Sequence, residues 1–358
     1  MAEPDQPLDY AGYLRLSRLL SCQARESERR GRPAHDEMLF IIVHQAYELW
    51  FKQILFELDA LQEVLGRPTV EERELGRLVH GLRRIVEIEK LLIRQLDVLE
   101  TMTPLDFMEF RDLLYPASGF QSVQFRLIET RLGLTPDQRV SFGDRPDDAE
   151  LTAAERRPSL RDQVQDWLER TPFVDLGDYR FRETYRRAVT DILDADAALV
   201  RDNPALDADE RRAELEALTA ARARFDAIFD PDRHRALLDQ GLWRLSWRAL
   251  QAALFINLYR DEPVLQQPFR LLSLLMDVDE SLSTWRYRHA LMAQRMIGAK
   301  VGTGGSAGHD YLRRTVEQHR VFADLFALSS FFIPRSKLPA LPPEVQRAMG
   351  YRYTQGPA

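Results

Sequence analysis

The sequence predicts an all-α fold, a bundle of long helices carrying a charged helical insertion. Three observations lead there. Apolar residues recur at three-or-four spacing along most of the 358 residues. Alternating and β-branched runs, the signals of strands, are nearly absent. Long stretches such as 38–60 contain neither proline nor glycine. Together these give one compact domain with an insertion and no recognisable internal repeat.

The elements follow in order. Residues 38–60, MLFIIVHQAYELWFKQILFELDA, are apolar and aromatic on most sides, so this helix is expected to be buried on most of its surface. Across 71–100, Leu75, Leu78, Leu82, Ile85, Ile88 and Leu92 form one stripe, with Glu89 expected to face away from it. Thr69 and Glu72 are spaced for a capping box at its start. Thr103-Pro104 opens a third helix, with Thr as cap and Pro in the first turn. That helix carries Phe107, Phe110, Arg111 and Leu114 and is expected to stop near Pro116.

Residues 135–160 are rich in acids, arginines and prolines and read as a surface connection with short helices. Residues 161–230 are amphipathic and highly charged. Leu215, Leu218, Ala221, Phe225 and Ile228 make a single stripe there, which predicts a long hairpin packed on the main body. An apolar helix follows over 243–259, and Pro263 and Pro268 punctuate the approach to Phe269–Met276. The proline-rich tail after Pro334 is expected to be partly disordered.

Composition narrows the function classes. Hydrophobic residues make up 45%, enough for one large helical domain or two smaller ones. The formal charge of −7 argues against a nucleic-acid partner. No run of about eighteen apolar residues occurs, so no membrane span is predicted. The acidic N-terminus lacks an apolar signal segment. The one cysteine, Cys22, excludes an internal disulfide, a four-cysteine iron–sulfur site and a covalent c-type heme attachment. These features predict a cytoplasmic, reduced setting.

Seven histidines are present, but no HExxH and no pair at zinc spacing on one helix. The GxSxG elbow of an esterase is also absent. His289 shares a helical face with Trp285, Met292 and Met296. An imidazole in an apolar stripe needs a partner. A heme iron is one; a backbone carbonyl or a carboxylate in the core is the ordinary alternative. His44 shares a face with Phe40, Tyr47, Glu48 and Phe51, and Arg111 shares one with Phe107 and Leu114. A small aromatic ligand with a carboxylate matches such faces, through ring stacking and a guanidinium clamp. The competing readings are a satisfied core histidine and a surface ion pair of Arg111 with Glu109 or Asp112. Gly302–Gly308 is glycine-rich but lacks a P-loop lysine. It reads equally as a flexible turn or as a ligand clamp using the hydroxyls of Thr303 and Ser306.

Four segments carry a resemblance: 35–58, HDEMLFIIVHQAYELWFKQILFEL; 116–129, PASGFQSVQFRLIE; 285–298, WRYRHALMAQRMIG; and 302–312, GTGGSAGHDYL. Residues 321–334, VFADLFALSSFFIP, add to it. In that order the chain resembles the heme-dependent tryptophan 2,3-dioxygenase family over nearly all its length. The resemblance implies a homotetrameric, heme-binding helical bundle with one heme b per subunit. It implies that L-tryptophan and O2 are the substrates and that N-formyl-L-kynurenine is the product, the first step of the kynurenine route.

Residue by residue, the resemblance makes His289 the axial ligand of the heme iron and His44 the distal histidine that bonds the indole N–H. Phe40 becomes the wall beside the indole, Arg111 the partner of the substrate carboxylate, and Thr303 the hydroxyl on the amino acid backbone. Ser118 falls at the heme edge. Tyr10, Tyr13 and Leu14 match a segment that reaches into a neighbouring subunit's pocket. Residues 1–34 are then an exchanged arm, and 35–135 with 240–334 the catalytic domain. Residues 136–239 are the insertion and 335–358 the tail. Phe107 stands where bacterial members often carry tyrosine, as in animal-type members. Ala307 replaces the second serine of the usual GTGGSSG, removing one hydrogen bond from the loop. A related heme-dependent oxygenase of indole or a modified tryptophan, and a non-catalytic heme sensor, are the alternatives.

Overall fold

The computed structural model describes residues 9–135, 149–298 and 320–350. Within them the chain is helical apart from one two-residue strand pair. Three short helices, α1 (Tyr10–Leu14), α2 (Leu16–Leu19) and α3 (Glu26–Arg29), lead into the two long helices α4 (Glu37–Leu65) and α5 (Glu72–Leu99). Next come α6 (Pro104–Arg111), α7 (Val123–Leu132), α8 (Ala149–Glu155) and α9 (Leu160–Glu169). Strands β1 (Asp175–Leu176) and β2 (Tyr179–Arg180) pair antiparallel, Asp175 opposite Arg180. Then follow α10 (Phe181–Asp202), α11 (Ala208–Phe229), α12 (Pro231–Asp239), α13 (Trp247–Leu258) and α14 (Gln266–Ile297). Two short helices, α15 (Ala323–Ala327) and α16 (Pro343–Ala348), end the described chain.

The centre is a layer of α4, α5 and α14, with α5 packed between the other two. Helix α13 is buried nearly all round, from Ala249 to Ile256, because its sequence is apolar on every face. It carries the core toward α9, which also packs on α4. Helices α10 and α11 form the expected hairpin. No helix among the described residues is long and apolar enough to cross a membrane.

Four local expectations are revised. Helix α5 begins at Glu72, which leaves Thr69 two residues outside its cap, and the capping box forms between Glu71 and Glu74 instead. Glu74 accepts the Glu71 N–H at 3.1 Å. Glu89 does not face away; it is 1% exposed. Because α5 packs on α4 and on α14, its buried arc is wider than the single leucine stripe, and Glu89 lies on the part that meets α14. Pro268 does not precede a helix but sits in the first turn of α14, where its missing N–H would have had no intrahelical partner. Residues 335–350 are packed rather than loose, with Leu341, Val345 and Met349 buried in the main core. The Tyr259 hydroxyl donates to the Pro339 carbonyl at 2.9 Å.

Candidate active site

Phe40, His44, Tyr47 and Phe51 fall on one face of α4, at successive turns. Tyr47 and Phe51 are buried, while Phe40 and His44 are half-buried. The His44 ring lies 4.1 Å from the Phe40 ring, centroid to centroid. Its Nδ1 lies 2.7 Å from the Phe40 carbonyl oxygen. Only a protonated nitrogen can bond a carbonyl, so Nδ1–H donates and the neutral ring keeps its lone pair on Nε2. Burial pushes the His44 pKa down, against the opposing effects of that carbonyl and of Glu48. The ring is therefore a hydrogen-bond acceptor at neutral pH. Glu48 is itself held by Ser122 Oγ and Gln124 Nε2, each at 2.7 Å, which ties α7 to this turn of α4.

Helix α6 brings the second wall. Thr103 caps it, Pro104 occupies its first position, and Asp106 returns a bond to the Thr103 N–H at 3.0 Å. That short, well-started helix presents Phe107 against Phe40, with ring centroids 5.6 Å apart and planes nearly parallel. Phe110 fills the corner, 5.4 Å from Phe107 and edge-on to it. Arg111 is one turn beyond Phe107 on the same side. Its side chain is only 14% exposed and approaches Asp112 at 3.9 Å, the outer limit of an ion pair. Of the two surface pairs considered from sequence, only this long one with Asp112 is seen.

His289 comes from α14. Its ring stacks on Trp285, 5.1 Å away and 13° from parallel. Among the described residues neither ring nitrogen has a hydrogen-bond partner. His289 is half-buried, and desolvation together with the neighbouring His44 holds its pKa down to about 4. Two neutral imidazoles, one on α4 and one on α14, thus lie within electrostatic reach of each other. The helices that carry them are joined by Trp285, whose indole N–H points to the Tyr47 hydroxyl at 3.4 Å. Tyr47 in turn donates to the Leu92 carbonyl at 2.7 Å.

An unpartnered, neutral imidazole in an apolar wall fits an axial heme ligand. Among the described residues, no group of three His, Cys, Asp or Glu is placed to hold a bare metal ion. His289 is the side chain that would hold the heme.

The other sequence-predicted residues are placed as follows. Ser118 lies in the turn before α7, where its N–H donates to Gln121 Oε1 at 3.1 Å. Tyr10, Tyr13 and Leu14 are exposed on α1, Tyr10 by 75%. Thr303 and the rest of the glycine-rich loop lie outside the described residues. The sequence reading missed the brace behind the site. Arg286, one turn from His289, bonds Glu129 of α7 at 2.9 Å, and Arg126 meets the same carboxylate at 3.0 Å. A signal for it existed, since Arg286 and Glu129 each belong to one of the quoted segments.

Comparison with known proteins identifies the family. The family model for tryptophan 2,3-dioxygenase matches residues 3–332. A protein of Bdellovibrio bacteriovorus named tryptophan 2,3-dioxygenase is 49% identical over 355 residues, 97% of this chain and 99% of its own length. One of the same name from Dictyostelium discoideum is 46% identical over 96% of this chain and 88% of its own. A third, from Alteromonas mediterranea, is 44% identical over 97% and 98%. The match spans nearly the whole chain, α4, α6 and α14 included, and on that ground the chain belongs to the tryptophan 2,3-dioxygenase family.

Proposed function

We propose that this chain inserts both atoms of O2 across the indole C2–C3 bond of L-tryptophan, giving N-formyl-L-kynurenine. One heme b per subunit would serve the reaction, and His289 is the residue that would hold its iron. The observation that carries the reading is the pair of neighbouring neutral imidazoles, one unpartnered and the other with its lone pair fixed on Nε2. When bound, the heme supplies the activation of O2. The chain supplies the rest.

His44 Nε2 accepts the indole N–H and sets the ring's orientation. Because its pKa is held low, it stays an acceptor without taking a proton from solvent. Phe40 and Phe107 flank the indole and exclude water, which protects the reacting centre from side reactions. Arg111 opposes the substrate carboxylate, a charge-assisted contact in a mostly buried place. Thr303 holds the amino acid backbone, and Ser118 stands at the heme edge. Tyr10, Tyr13 and Leu14 enter a neighbouring subunit's pocket in a homotetramer. Their exposure in the single chain supports this reading, since large apolar side chains left in water are candidates for a partner's cover. The enzyme works in the cytoplasm.

The test is reaction of the reduced, heme-loaded protein with L-tryptophan and 18O2, followed by mass analysis. N-formylkynurenine with both oxygens labelled is the result expected. An unopened hydroxyindole or oxindole would replace this reading with that of an indole oxygenase. O2 binding without any product would leave a heme sensor.

A further inference from the structure

Glu89 is the buried acid that the reaction does not use. It sits in the middle of α5, 1% exposed, and neither carboxyl oxygen has a hydrogen-bond partner. It lines a small, otherwise apolar cavity with Phe51, Leu92, Phe125 and Trp285. Trp285 is the residue that stacks on His289, so Glu89 stands one side chain behind the axial position.

The charged groups around it are already committed. From α14, Asp279 accepts from the backbone N–H of Val321 at 2.8 Å and of Phe322 at 3.0 Å. Arg286, also on α14, is bonded to Glu129 of α7, which Arg126 meets as well. From α4, the Tyr47 hydroxyl is spent on the Leu92 carbonyl. His289 lies beyond Trp285 and is neutral. Burial pushes the Glu89 carboxyl well above the usual range, Asp279 adds to the rise, and Arg286 opposes it. Burial raises Asp279 too, but its two backbone donors and Arg286 counter that. Glu89 is thus the acid least able to keep a negative charge, and a positive charge appearing nearby is what would let it ionise.

We propose that Glu89 is a redox-linked proton site that tunes the iron held by His289. On reduction by an external one-electron donor, one electron enters the iron and one proton passes from water to the Glu89 carboxylate; on oxidation by an external one-electron acceptor both leave. Ferric heme carries one more positive charge than ferrous heme, and across a low-dielectric layer that charge favours the ionised acid. Glu89 is a tuning residue, since it touches neither substrate nor heme. This inference rests on the reading of His289 as axial ligand.

Spectroelectrochemistry of the heme-loaded protein between pH 5 and 9 tests it. In wild type the midpoint potential falls as pH rises, toward a limit of about 59 mV per pH unit for one proton per electron. Glu89→Gln flattens that dependence, and residual slope from other groups is common to both proteins. Redox-difference infrared spectra should show a protonated-carboxyl band, shifted in D2O, that gains intensity on reduction and is absent from the variant. Wild type labelled with 13C-glutamate gives the same readout without any variant that must fold. Equal slopes in the two proteins, or no redox-dependent carboxyl band in labelled wild type, would overturn the proposal. Full heme loading of His289→Ala would instead overturn the reading beneath it.

Discussion

The α4–α5–α14 centre and the α10–α11 hairpin are both helical and both carry many charges, yet they treat charge in opposite ways. In the centre, Glu89, Glu129, Asp279 and Arg286 are almost wholly buried. The hairpin keeps its pairs in water: Arg222 and Asp194 meet with side chains 41% and 63% exposed, and Arg186 meets Asp226 at 3.2 Å. A hydrated pair tolerates a shift of its helices, because water replaces whatever contact is lost. A buried pair does not, so Arg286 and Glu129 fix α14 against α7. That brace lies one turn from His289. The region that holds the chemistry is the region where polar groups have no solvent to fall back on.

The largest expected effect comes from breaking that contrast. Arg286→Leu removes one of the two guanidiniums that meet the buried Glu129 carboxylate and should cost up to about 3–5 kcal/mol in chemical denaturation. Arg222→Ala, in the hairpin, should cost no more than about 1 kcal/mol. Similar costs for the two would erase the distinction between the regions.

Next comes Arg111→Leu. Removing a guanidinium from opposite a buried carboxylate should weaken L-tryptophan by about 2–5 kcal/mol. Tryptamine, which lacks the carboxylate, should lose far less. Heme difference spectra with both ligands give the comparison, and equal losses would assign Arg111 to the fold rather than to the substrate.

A smaller effect is expected at His44. Loss of one hydrogen bond to the indole should lower turnover by about 1–3 kcal/mol without abolishing it. Steady-state kinetics of His44→Ala with L-tryptophan and 1-methyl-tryptophan read this out. Complete loss of turnover with heme retained would mean that the imidazole does more than orient the ring.

The same contrast explains what could be seen beforehand. The helices of the centre were legible because their apolar residues recur at helical spacing, and the hairpin because its stripe is single. His44, Phe40 and Phe107 were legible as polar-among-aromatic faces, and ring contacts in the structure join them. Glu89 was misread because periodicity along one helix shows the arc facing one neighbour, whereas α5 has two. The Trp285–Tyr47 link and the Arg286–Glu129 brace join residues far apart in the chain, and one-dimensional spacing carries no record of such distances. Residues 335–350 read as loose because prolines mask the helical pattern around Val345. His289 gave the sharpest signal as a lone imidazole in an apolar stripe, but taken alone it favoured a core hydrogen bond over heme.

The account turns on an asymmetry between two neighbouring histidines, His289 as the group proposed to hold the heme and His44 as the group proposed to orient the substrate. Soret absorbance per chain, measured on purified His289→Ala and His44→Ala beside wild type, tests this most directly. The account predicts little heme in His289→Ala and wild-type occupancy in His44→Ala. Full occupancy with unchanged ferrous spectra in His289→Ala, or loss of heme from His44→Ala alone, would contradict it.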